Sequence, residues 1–471
     1  METRGLTRRN LLKSMGLAGL GLAAAACAPG APSPGAPAAP TQPAAEREVT
    51  VPAPAEKVKI VYWHGWTEVF EQMVIRLADG FMSRNPAVEV EQVVVPHGEM
   101  FTKVLTAVAA GDVPDVMMVF NGGGRVYSLA EEKAILPLTD VGDPASVDAV
   151  REWIFPSSWD LATYKGELYG LPQWQQAYCI QYNRKLLAEA NIPEGQPKDM
   201  AELDAIAEKL TVYDDQGNIW RMGFYDNWLS RWLPHFGGRF LDEQGNPQAN
   251  HPNNVKALEW IVSYSHKYDV KKISDFTAAI AGERAGAVDP FLMEQYAMWA
   301  NGPWVLGSTK EYAPEGFEYG VWTLPPPPGM TGFGTWTYGD VLTIPKGTKH
   351  PAEAFLYIRY LTGLDDPETY SSLYLMPPAG GGRPHMPPSQ KLVDTPAFKK
   401  VIEEYPGYDK FLKALFEADR YLFPPKIPIA EFYSERIGSW VDRARLLEMT
   451  PQEALDGLQG EVMKEWEKYQ G

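Results

Sequence analysis

Two cysteines in 471 residues exclude a disulfide framework. Histidine is also scarce. The seven, at 64, 97, 235, 251, 266, 350 and 385, do not cluster, which argues against a metal site. No Gly-x-Ser-x-Gly elbow, His-Glu-x-x-His helix or phosphate-binding Gly-rich loop is present, so the common hydrolase, zinc and nucleotide chemistries lack their residues and no cofactor is implied. Basic residues are outnumbered, 43 Lys and Arg against 60 Asp and Glu, a formal charge of −17. Such a balance disfavours nucleic acid or anionic lipid as a partner. Long apolar runs are missing too. The uncharged stretch Ser14 to Ala26 is 13 residues, short of the ~20 needed to span a bilayer core as a helix.

What is present begins at the N-terminus. Thr7-Arg8-Arg9-Asn10-Leu11-Leu12-Lys13, followed by that uncharged stretch, resembles a twin-arginine export signal, so residues 1–26 read as a signal segment. Ala23-Ala24-Ala25-Ala26-Cys27 resembles a lipobox, which implies lipidation of Cys27. The usual Leu three residues before the cysteine is Ala24 here, and plain cleavage after Ala-x-Ala is the alternative. Residues 28–57 hold 8 Pro and 9 Ala, an extended tether with nothing to bury. Residues 27–57 would therefore stand a folded body off a membrane, the lipid being the only membrane contact. With Cys27 acylated, Cys179 has no partner and reads as a buried small hydrophobe in an apolar run. The 445 residues after the signal exceed one ordinary core, so two lobes are expected.

Spacing along the chain predicts α/β structure. Val58 to Trp63 is strand-like. Phe70, Met73, Val74, Leu77 and Phe81 repeat at helical spacing, with Thr67 as the expected N-cap. A strand from Val88 to Val95, a helix through Met100–Val108 ending at Gly111, and an apolar strand from Val116 to Phe120 follow. This β-α-β-α-β order predicts a mostly parallel sheet with ligands beyond the strands' carboxyl ends. Further on, Tyr178 to Tyr182 reads as a strand, and Leu186–Ala190 and Met200–Leu210 as helices. Gly339 to Pro345 reads as a strand and Pro351–Leu361 as a helix. The runs Asp214 to Asn218 and Asp242 to Asn246 read as hairpin turns, since both lack the alternating carboxylates of a calcium loop. Breaks at Gly170-Leu171-Pro172, Leu324 to Gly334 and Leu375 to Pro388 suggest three passages between lobes. Lobe one is then 58–170 plus 332–380, and lobe two 171–331 plus 381–471.

Four segments together resemble the carbohydrate-binding cluster of ABC-importer extracellular solute-binding proteins, the group that includes maltodextrin-binding protein. They are Lys103-x5-Ala109-Ala110-Gly111-Asp112-x-Pro114-Asp115-Val116 with Ile135 to Asp140; Leu171-Pro172 with Tyr182-Asn183-Arg184-Lys185-Leu186-Leu187; Met298-Trp299-Ala300-Asn301-Gly302-Pro303-Trp304; and Gly339 to Lys349 with Pro351 to Phe355. The tail Leu447-x2-Thr450-Pro451-Gln452-Glu453-Ala454-Leu455 is also typical. The resemblance spans roughly residues 57–471. It implies a two-lobed periplasmic-binding-protein-like fold of type II, each lobe a mostly parallel sheet flanked by helices, with a central cleft and a multi-strand hinge. It further implies a non-catalytic protein that hands a sugar to the transmembrane subunits of an ABC permease; the N-terminal signal makes it an exported one, and a monomer is the default expectation.

A pyranose presents a C–H face and a rim of hydroxyls. A cleft for it needs flat aromatic rings, each able to bury ~150–250 Å², beside acids and amides on loops. The resemblance makes Trp304 the stacking residue, Gln176 an amide where relatives carry an acid, and Asp226 with Trp228 an acidic–aromatic pair. His64 and Trp66 lie on the first strand-to-helix loop, and Asn121 and Gly122 follow the third strand. Trp336, Tyr338 and Asp340 lie where the chain re-enters lobe one. Phe432 or Tyr433 offers another platform, and Arg383 follows Gly380-Gly381-Gly382. Core packing or a solvated loop is the competing reading at each. Two alternatives stand beside the sugar carrier: a secreted glycoside hydrolase, which would need two carboxylates ~5–9.5 Å apart, and the same fold carrying a glycerol-phosphate-type solute, which would need cations.

Overall fold

The computed structural model describes residues 57–284, 289–375 and 385–470; Cys27 and Arg383 lie outside them. Residues 57–119 fold as their spacing predicts. They form β1 (Val58–His64), α1 (Glu68–Arg84), β2 (Val88–Val94), α2 (Met100–Ala110) and β3 (Val116–Val119), followed by α3 (Gly124–Glu131). Met73, Val74, Leu77 and Phe81 of α1 are buried, and each such side chain contributes roughly 1.5–3 kcal/mol on leaving water. Thr67 is extended and precedes α1, but its side chain makes no capping bond. The end of α2 follows the expected route: Gly111 sits at φ 73°, the left-handed conformation that glycine adopts without Cβ strain.

Direction is where the sheets depart from expectation. β1 pairs parallel with both β2 and β3. The strand Val341–Thr343 then joins β3 antiparallel, and Leu171–Pro172 adds antiparallel beyond it. The first sheet is therefore mixed, and Leu171–Pro172 belongs to it although the break at Gly170 assigns those residues to lobe two. In the second sheet Cys179–Asn183 is central and pairs antiparallel with both Met298–Asn301 and Tyr319–Thr323. The expected mostly parallel sheet is absent there. A continuous apolar run reports that both faces of a strand are covered. It carries no information on direction, which is set by partners far away in the chain.

The two sheets give a two-lobed α/β fold. Between them, the passage after Pro172 and the one before Val341 run side by side. The Gln173 N–H donates to the Asp340 carbonyl at 2.8 Å, and the Gln176 N–H to the Tyr338 carbonyl at 2.7 Å. A Cβ on Gly339 would lie 1.9 Å from the Trp174 carbonyl oxygen, and one on Gly122 would lie 2.4 Å from Val341. Glycine is what lets these backbones touch.

The turns expected at Asp214 and Asp242 and the burial of Cys179 meet their structures, and local caps close two helices. The Asp199 carboxylate accepts the Glu202 N–H at the start of helix Met200–Leu210. Asp214–Asn218 turns the hairpin between Val212–Tyr213 and Ile219–Arg221, and Asp242–Asn246 closes with a bridge from Leu241 to Pro247. Cys179 is fully buried. Thr450 and Glu453 form a reciprocal capping box on helix Pro451–Trp466. Among the described residues no helix is long and apolar enough to cross a membrane.

Candidate functional site

Four chain segments meet around a cavity of about 260 Å³. The loop after β3 brings Asn121 and Gly122, and the start of α3 brings Arg125. The turn entering helix Leu229–Trp232 brings Trp228 and Ser230. Trp336 and Tyr338 come from the returning passage, and one face of helix Ala430–Arg445 supplies Glu431, Ser434 and Glu435. Of the candidates named from sequence, the structure gathers Asn121, Gly122, Trp228, Trp336 and Tyr338 on this cavity.

The aromatic side is built from inside outward. Tyr178 is buried, and its hydroxyl bonds that of Tyr338 at 2.6 Å. Trp228 stands 5.4 Å from Tyr178 and 6.1 Å from Tyr338, and remains 39% exposed. The Arg231 guanidinium lies over both the Tyr178 ring, at 4.3 Å, and the Trp228 ring, at 4.8 Å, positions favourable for cation–π attraction. Asp226 holds this arrangement. Its carboxylate pairs with Arg231 at 2.7 Å and accepts from the Trp232 indole at 2.8 Å and the Trp228 N–H at 3.2 Å. Asp226 therefore faces its own neighbours and is absent from the cavity lining.

Trp336 is buried edge-on against Phe240, ring centroids 5.6 Å apart, with Tyr338 at 6.1 Å. Trp304 begins helix Trp304–Tyr312, half-buried with its ring 6.1 Å from Tyr178. It is absent from the cavity lining. Gln176 is buried beside Tyr338 and also stays off it.

On the polar side, Arg125 pairs with Glu431 at 2.8 Å and donates to the Phe120 carbonyl. The Asn121 N–H donates to the Asp340 carboxylate at 2.9 Å. Asp340 itself is buried, and burial pushes its carboxyl up to about 7. It supports the loop from behind. Phe432 and Tyr433 also leave the cavity: Tyr433 is buried against Phe240, and Phe432 packs beneath Arg436. The helix turns Glu431, Ser434 and Glu435 inward instead. A polar stripe at i, i+3, i+4 was the available signal, and the neighbouring aromatics hid it.

His64 and Trp66 belong to a separate aromatic group, away from the cavity lining. The Trp66 ring contacts Phe70, His97, Phe120, Trp174 and His385 at 4.7–6.0 Å, and its indole points at Met118 Sδ. Burial pushes His64 and His97 down to about 4, so both are neutral. No group of three or more His, Cys, Asp or Glu suited to a metal occurs among the described residues.

The cavity gathers tilted aromatic rings together with hydroxyl, amide and paired charged groups. Comparison with known proteins agrees in kind. The chain is similar to the maltotriose-binding protein of Pyrococcus abyssi, 27% identical over 324 residues that cover 67% of this chain and 65% of that protein. It is similar also to the maltodextrin-binding protein MdxE of Bacillus subtilis, 21% identical over 53% of this chain and 57% of the relative. Both matches thus span under two thirds of the relative's length. Among solved structures, CpMnBP1 with mannotriose bound superposes with a TM-score of 0.72 at 27% identity, covering 86% of this chain and all of that one. Residues 64–365 match the family described as bacterial extracellular solute-binding protein, and the chain belongs to that family.

Proposed function

We propose that this protein binds a neutral sugar or oligosaccharide between its lobes and delivers it, unaltered, to an ABC importer. The observation that carries this reading is that Trp228 and Tyr338 line one cavity together with Asn121, Ser434 and Glu435. A stacked ring buries the C–H face of a pyranose, and the facing groups bond its rim. Arg125 is the cation at the site, and Glu431 neutralises it, which favours a neutral sugar over a phosphorylated solute. The sugars bound by the similar proteins named above support the same class.

Ligand touching both lobes favours the closed form through contacts that the open form lacks. The lobes in this reading are 58–170 plus 332–380 and 171–331 plus 381–471, with Leu171-Pro172 transferred to the first. The twin-arginine-like signal and Cys27 make the protein an exported lipoprotein at the outer face of the cytoplasmic membrane, acting as a monomer beside the permease.

Titration calorimetry with mannotriose and maltotriose, with chromatography of the mixtures, tests this. Micromolar binding with both sugars recovered intact is expected. Turnover of either would favour a glycoside hydrolase, and failure to bind any oligosaccharide in a wider panel would remove the sugar assignment. Mass spectrometry of the membrane fraction should find a diacylated Cys27 at the mature N-terminus.

A further inference from the structure

We infer that Trp336 reads the ligand through its indole N–H, as a hydrogen-bond donor, and does not serve as a stacking platform. This rests on the sugar-binding reading above. Trp336 is only 8% exposed, with Phe240 steeply inclined to its ring at 5.6 Å and Tyr338 tilted beside it at 6.1 Å. A ring so enclosed has no open face for a pyranose, in contrast to Trp228 at 39% exposed. Yet Trp336 lines the cavity, and its Nε1–H is buried without a hydrogen-bond partner in the protein. Buried indole N–H groups ordinarily find an acceptor, because an unmet donor in a dry site is costly.

A second orphan belongs to another residue of the same lining. The Asn121 side-chain oxygen is buried and unpartnered, while its backbone N–H is fixed to Asp340. The positive φ of 52° at Asn121 holds that turn. One fixed donor and one fixed acceptor define what satisfies them: a group carrying hydroxyls, each of which both accepts and donates. An ammonium would leave the indole N–H unmet, and a hydrocarbon would strand both. Trp336 is thus a specificity-determining residue for polyol rims, and Trp228 supplies the stacking.

The test compares wild type with Trp336→Phe and with β-(3-benzothienyl)alanine at position 336, an isostere whose sulfur replaces the N–H. Calorimetry uses mannotriose and maltotriose, and unliganded melting temperature is read alongside. Loss of one neutral hydrogen bond should weaken binding of the preferred sugar at least threefold, roughly 3- to 10-fold, while the isostere melts within about 1–2 °C of wild type. Affinity of the isostere within threefold of wild type overturns the inference and leaves the sugar reading intact. Failure of the wild type to bind any oligosaccharide overturns the sugar reading and this inference with it. Should Trp336→Phe misfold, the isostere alone decides.

Discussion

Asp226 shows how a residue beside a site differs from one in it. Its carboxylate is consumed by Arg231, the Trp232 indole and the Trp228 N–H. Asp226→Ala leaves the Arg231 charge buried without its partner, a loss of about 3–5 kcal/mol, which denaturant titration should register. Trp228→Ala removes a half-open ring and should cost little stability while lowering sugar affinity roughly 5- to 30-fold, an aromatic contribution of about 1–2 kcal/mol. Sequence alone could not separate these two, since both stand two positions apart on one loop. Asp340 makes a pH prediction. Its carboxyl, raised to about 7 by burial, stays protonated in the folded state while the unfolded one ionises near 4. Its contribution is therefore intact below about pH 4 and is lost as pH rises toward 7, on the order of 4 kcal/mol in all. His64, His97 and His235, all pushed down by burial, act in the opposite sense below pH 6.5. The measurable quantity is thus the difference between Asp340→Asn and wild type, which should move in favour of the variant as pH rises from 4 to 7. A flat difference would show that the carboxyl is ionised in the fold.

Elements were legible where their reasons are local. The spacing of Met73, Leu77 and Phe81, the glycine stop at 111 and the turn at Asp214–Asn218 each act within a turn or two, and each stands in the structure. The second sheet was opaque because the partner of Tyr182 is Met298, and nothing near either residue encodes that meeting. The cavity face of helix Ala430–Arg445 was opaque for another reason: helical rotation, not residue type, decides whether Glu431 or Phe432 points inward. The glycines at the crossing are a third kind of signal, visible in sequence but without meaning until their neighbours are known. Gly339→Ala would press a methyl onto the Trp174 carbonyl. The expected cost is about 1–3 kcal/mol, read as a lowered melting temperature. Leu77→Ala, which only empties space in the core, should cost about 2–5 kcal/mol and leave sugar affinity unchanged.

At the scale of the whole molecule, two antiparallel passages joined by backbone hydrogen bonds tie one sheet to the other. In the proposed cycle they bend together when the lobes close. Small-angle scattering should therefore give a smaller radius of gyration with saturating oligosaccharide than without, and Trp228→Ala should blunt that change at equal sugar concentration. An identical scattering profile with bound sugar would remove closure from the mechanism.

The Arg231 guanidinium covers one side of the Trp228 indole, so the platform is single-sided. A planar surface with one usable side is a stereochemical filter. It accepts a ring whose hydrogens are gathered on the approaching side, and it rejects an epimer that projects an axial oxygen there. Discrimination among hexoses of equal size would then be set by which oxygen points at the indole, before any rim contact is made.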